Sequence, residues 1–174
     1  CLSRGLGDVY KRQLHGHVVL VGYGEKGKII LDELLQRHLS VVVVDDHHAV
    51  VEELREKKVN SIYGDATDPA ILIQAHIHEA AILVLAIDNE ILCRKIVETA
   101  KILRPTIETV MPAENEEDAK ALKADGVAQA FVPDELLAQA IVQFTMSRFG
   151  KESEDQKIRE EEAEEQKAIE RGAL

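Results

Sequence analysis

The sequence predicts an α/β fold: a doubly wound, parallel sheet of six strands in a single domain. Three observations predict it. Apolar runs of strand length alternate with segments of helical periodicity from His17 to Phe149. Runs such as HVVLVG and SVVVVD are apolar at successive positions, as strands covered on both faces of a parallel sheet are. The first run passes directly into a glycine turn, Gly22-Tyr23-Gly24-Glu25-Lys26-Gly27, that opens a helix.

The elements follow in order. HVVLVG is the first strand, and KGKIILDELLQRH a helix with Ile29, Ile30, Leu34 and Leu35 at helical spacing. SVVVVD is the second strand, HAVVEELREKK a helix and SIYG a short third strand. DPAILIQAHI is a helix with Pro69 at its favourable first position. AILVLA is the fourth strand, NEILCRKIVETAKIL a long helix and TIETVM the fifth strand. EEDAKALKADG is a helix closed by Gly126, QAFV the sixth strand, and DELLAQAIVQFTMSRF a final helix entered through Pro133 and Asp134. That last helix carries two apolar stripes, Leu137, Ala140, Ile141 and Phe144 on one and Ala138, Val142, Met146 and Phe149 on the other. One stripe is expected to cover the sheet and the second to meet a partner; a broad intramolecular core is the alternative.

Residues 14–149 therefore form the folded domain. Residues 1–13, CLSRGLGDVYKRQ, have no Met start, apolar period or signal-peptide core, and are expected to be a non-native or disordered leader. Residues 150–174 lack an apolar stripe and are rich in acid, as a solvated helix or disordered tail is. With 32 acidic against 21 basic residues the formal net charge is −11, which argues against nucleic acid as a partner. No apolar run approaches the ~20 residues of a membrane span. Cys1 and Cys93 make no disulfide framework or metal spacing, which fits a reducing cytoplasm.

The chemistry concentrates at strand ends. In the turn, Gly22 permits the tight bend, Gly24 lets backbone approach a pyrophosphate, and Gly27 lets the helix pack close to the sheet. Tyr23, Glu25 and Lys26 fill the remaining positions, and the helix N-terminus offers unpaired N–H groups to an anion. Asp45 closes the second strand, where a carboxylate accepts hydrogen bonds from ribose hydroxyls and repels a 2′-phosphate; Asp46 is its neighbouring alternative. Asp45 can instead cap the following helix. Asp65 and Ala66, in YGDAT after the third strand, lie where a base could rest, or Asp65 holds its own loop by turn hydrogen bonds. Asp88 ends the fourth strand and is read first as the cap of the long helix, with ligand contact as the alternative. His76-x-His78 has no Cys or carboxylate cluster to complete a metal site, and no nucleophile–base pairing is visible, so neither metal nor catalysis is expected.

The order GYGEKG, VVVVD, YGDAT, AILVLAIDN and ADGVAQAFVPDELLA resembles the RCK domain (regulator of potassium conductance), also called TrkA-N, over about residues 16–149. YGDAT is the most discriminating piece, and the likeness is nearest to the cytoplasmic domains of bacterial glutathione-gated potassium/proton efflux antiporters. The resemblance implies a Rossmann-type regulatory module, not an enzyme. Such modules pair as homodimers through the final helix, here residues 134–149. They bind NAD(H), AMP, ADP or ATP, and act on a membrane channel or transporter from its cytoplasmic face. On that pattern Gly22, Gly24, Gly27, Asp45, Asp65 and Ala66 form the nucleotide site. Two departures stand out: Glu25 where many members carry Arg, and Met111-Pro112-Ala113 where relatives often read A-R-A. Both remove cationic contacts, so NAD(H) or AMP is expected over ADP or ATP. An NAD-dependent oxidoreductase, a methyltransferase and a scaffold with a decayed site are the alternatives.

Overall fold

β-branched residues dominate the centre of this chain because they must pack on both sides of a sheet. The computed structural model describes residues 16–149. β1 is Val18–Val21, β2 Val41–Asp45, β3 Asn60–Tyr63, β4 Ile82–Leu85, β5 Glu108–Pro112 and β6 Gln129–Phe131. Every residue of β1 and β2 is buried, whereas β3, on an edge, is half-exposed. All neighbouring strands pair in parallel, in the order β3-β2-β1-β4-β5-β6. The chain thus winds outward from β1 in one direction, then returns to build outward from β4 in the other. Between β1 and β4 lies the switch point where ligands of doubly wound sheets bind.

The helices are α1 Glu25–Gln36, α2 His48–Glu56, α3 Pro69–Gln74, α4 Glu90–Leu103, α5 Glu116–Ala124 and α6, residues 133–149. Alternate strand residues feed two cores, as the period of 2 requires. On one face Val18, Leu20, Val41 and Val43 pack with Leu31 of α1 and Leu54 of α2. On the other, Val19, Val21, Val42, Val44, Leu83 and Leu85 pack with Leu72 of α3, Ile96 of α4 and Leu122 of α5. Right-handed crossovers require this division: connections running one way from the switch point cover one face, and those running the other way cover the opposite face.

Two helices expose more apolar surface than their periodicity suggests, and in the second this corrects the expectation that one stripe covers the sheet. In α1 the buried positions are Gly27 and Leu31, with Ile30 and Leu34 half-buried, while Ile29 and Leu35 point outward. At 100° per residue Ile29 lies nearly opposite Gly27, and it is Gly27 that must face the sheet. In α6 no residue is buried, so neither stripe forms an intramolecular core: Ile141 is 57% and Met146 61% exposed. By its contacts the chain groups into two compact units that meet at the Val132–Pro133 junction, the six-stranded sheet with its helices lying in the first and α6 in the second. The expected leader, 1–13, and tail, 150–174, lie outside the described residues.

Candidate functional site

The glycine turn is held by contacts that only glycine permits. Gly22 has φ +93°, and a Cβ there would stand 2.6 Å from Cγ2 of Ile87. Its N–H donates to the Val44 carbonyl at 2.9 Å, tying the turn to β2. A Cβ on Gly27 would stand 2.1 Å from the Gly22 carbonyl oxygen, so α1 is pressed against the end of β1. A Cβ on Gly24 would meet nothing within 4 Å, and Gly24 caps α1 without a side-chain hydrogen bond. The first turn of α1 thus starts from backbone with open space before it, the arrangement that receives anions at helix N-termini.

The turn borders a cleft of about 410 Å³ at the carboxyl ends of β1, β2 and β4, lined also by the loop after β3. Its apolar wall includes Val21, Val44, Val50, Ala66, Ile87 and Ile96, and its polar groups include Asp45, Asp46, His47, Asp65 and Asp88. The size lies within the range of small-molecule sites, and an apolar wall with a few converging polar groups is their usual make-up.

Asp45 is buried and ties two loops together. Its Oδ2 accepts the Tyr23 N–H at 2.8 Å, and its Oδ1 accepts the His47 N–H at 2.9 Å. The His47 ring Nδ1 is also 2.9 Å from Asp45 Oδ1 and 2.7 Å from Asp46 Oδ1. Asp45 is therefore not the cap of α2; His47 holds that position, and its ring makes no capping hydrogen bond to the helix. The hydrogen bond to Asp45, with the added charge of Asp46, raises the His47 pKa above its ordinary 6.5. Asp65 accepts the Thr67 N–H at 2.8 Å, which holds its loop and lowers its pKa, and it still borders the cleft. Ala66 is buried against the core beside it.

Asp88 does not cap α4. Asn89 does, through Oδ1 accepting the Leu92 N–H at 3.0 Å, and Asp88, at the edge of the cleft, instead forms an ion pair with Lys26. The other turn residues part company with the cleft. Tyr23 borders the cleft and is also buried in the core with Leu31 of α1 and Leu54 of α2. Glu25 is exposed on the first residue of α1, and neither it, Lys26 nor Gly27 belongs to the lining. Met111 and Ala113 are buried core residues away from the lining. His47 is a polar cleft residue that sequence reasoning missed; its position directly after Asp45-Asp46 at a strand end was the available signal. Asp45, Asp46 and His47 gather close enough to share an ion, as do Glu90, Glu114 and Asp118, although spacing alone suggested no metal cluster. Burial pushes the Cys93 thiol up to about 11, so it stays protonated and unreactive at neutral pH.

The TrkA-N domain family matches residues 18–133. The inner membrane protein YbaL of Escherichia coli K12 is 29% identical over 127 residues, covering 73% of this chain and 23% of that protein. The crystal structure of its TrkA-N domain superposes with a TM-score of 0.70 at 28% identity, covering 75% of this chain and 96% of that one. Potassium channel protein 1 of Methanocaldococcus jannaschii is 32% identical over 124 residues, covering 70% of this chain and 37% of that protein. The Kef CTD of Shewanella denitrificans, solved in AMP bound form, shares the fold with a TM-score of 0.62 at 24% identity, covering 75% of this chain and 80% of that one. The chain spans well under half the length of the full-length relatives it matches.

One prediction follows from the His47 cluster. A raised folded pKa means that the protonated ring's contribution to stability is complete below pH 6.5 and fades as pH climbs through the raised value. NMR titration of the His47 ring should give a midpoint above 6.5, and Asp46→Asn should bring it down; a wild-type midpoint at or below 6.5 would contradict the arrangement.

Proposed function

Because this chain belongs to the TrkA-N domain family, we propose that it is a nucleotide-sensing regulatory domain of a potassium channel or potassium/proton antiporter, acting without catalysis. The observation that carries the reading is the cleft at the switch point. There an open helix N-terminus and a buried strand-end carboxylate stand as phosphate and ribose recognition need them. The names of the relatives support the membrane partner: one is a potassium channel protein and another an inner membrane protein. The cytoplasmic face of the membrane is then where the domain meets its nucleotide.

The ligand proposed is NAD(H) or AMP. Carboxylates of Asp45, Asp46, Asp65 and Asp88 border the cleft, Glu25 stands at the head of α1, and Lys26 is engaged by Asp88. Each further phosphate adds negative charge to a rim already negative, which disfavours ADP and more so ATP. Binding acts by population shift: the nucleotide favours one geometry of a dimer, and that geometry bears on the membrane part. Coupling energies of such switches are typically ~1–3 kcal/mol. The dimer forms through α6, whose large apolar side chains, Phe144 at 63% exposure among them, need a covering surface.

Thermal unfolding with NAD+, NADH, AMP, ADP, ATP and S-adenosylmethionine tests the ligand. At a hundredfold excess over its dissociation constant a ligand adds about 2.7 kcal/mol, which for this length raises Tm by roughly 5–10 °C. NADH or AMP should give that shift and ATP little. A shift with S-adenosylmethionine alone would point to a methyltransferase, and none at all to a scaffold. For the dimer, sedimentation equilibrium should find two copies in the wild type and one in Ile141→Asp, while a monomeric wild type would sink the α6 interface.

A further inference from the structure

An ion pair links the two sides of the switch point at the edge of the cleft. Lys26, the second residue of α1, pairs with the Asp88 carboxylate just beyond β4, 62 residues away in sequence. β1 and β4 are neighbours in the sheet, so the pair spans the line along which the winding direction reverses. Asp88 is free for this role because Asn89 caps α4. Near the pair, the turn and the end of β4 already touch: a Cβ on Gly22 would stand 2.6 Å from Ile87 Cγ2 and 3.3 Å from the Ala86 carbonyl oxygen.

In a doubly wound sheet a dinucleotide lies across the switch point, its pyrophosphate at the first turn and one nucleoside on each side. A mononucleotide needs only the side built by β1, β2 and β3, bordered here by Asp45, Gly64 and Ala66. We propose that the Lys26–Asp88 pair is a selectivity bar: it leaves the β2 side open to a nucleoside monophosphate and must be displaced before the second half of a dinucleotide can cross onto β4. This rests on the nucleotide-sensing reading and chooses between its two ligands. The two side chains are 51% and 80% exposed, so water screens their attraction and the discrimination is a few-fold rather than absolute.

Isothermal titration of the full chain with AMP and with NADH gives the ratio of their dissociation constants. Asp88→Ala should move that ratio toward NADH by about two- to fivefold, the span of an exposed ion pair. Lys26→Met/Asp88→Ala, which leaves no freed ammonium to meet phosphate, should move it equally. An unchanged ratio, or a move toward AMP, overturns the proposal while leaving nucleotide binding intact. A move in Asp88→Ala alone marks a liberated Lys26 contacting phosphate, and overturns it too. Binding of neither nucleotide by the wild type overturns the proposal together with the reading beneath it.

Discussion

The buried carboxylate of Asp45 is the constraint around which the rest of the cleft is arranged. A carboxylate out of water is costly unless it is hydrogen-bonded, and this one is held by two backbone N–H groups, from Tyr23 and His47. Those donors belong to different loops, so satisfying the charge locks the glycine turn to the end of β2. The register makes this local. Val21 lies opposite Val44, so the chain leaves β1 just where Asp45 arrives on the neighbouring strand. A carboxylate has about four acceptor positions. With Tyr23, His47 and the His47 ring engaged, capacity remains for a further donor such as a ribose hydroxyl.

Once the turn is fixed, close packing decides the shape of what remains. Gly27 presses α1 against Gly22, and Gly22 presses against Ile87, leaving backbone rather than side chain at the head of the helix. The cleft beside it is apolar along its wall and acidic along its rim. That combination suits a flat, partly apolar ligand of low negative charge, and it agrees with a chain whose acidic residues outnumber its basic ones. Lys26 and, when protonated, His47 stand near this rim with carboxylate partners already engaged.

Much of this was legible in the sequence where one physical cause dominates. β1 and β2 read clearly because burial on both faces demands unbroken apolar runs, and the G-x-G-x-x-G turn because Gly22 and Gly27 each answer a close approach. Legibility failed where neighbours compete for a role. Asp88 and Asn89 are both good caps, and only the path of the chain decides that Asn89 takes the helix and Asp88 faces Lys26. Helical spacing grouped Ile29 with Ile30, Leu34 and Leu35, yet the small Gly27 fixes which side of α1 approaches the sheet and leaves Ile29 outside. The role of His47 depends on two carboxylates meeting one ring, a geometry that spacing alone does not express.

The most direct test of the central claim is amide chemical-shift mapping as AMP is added to the full chain. The account predicts shifts at Gly22–Gly27, at Asp45–His47 and at Gly64–Thr67, the three segments that converge on the cleft. Saturable shifts confined to other segments, or none at millimolar AMP, would contradict it.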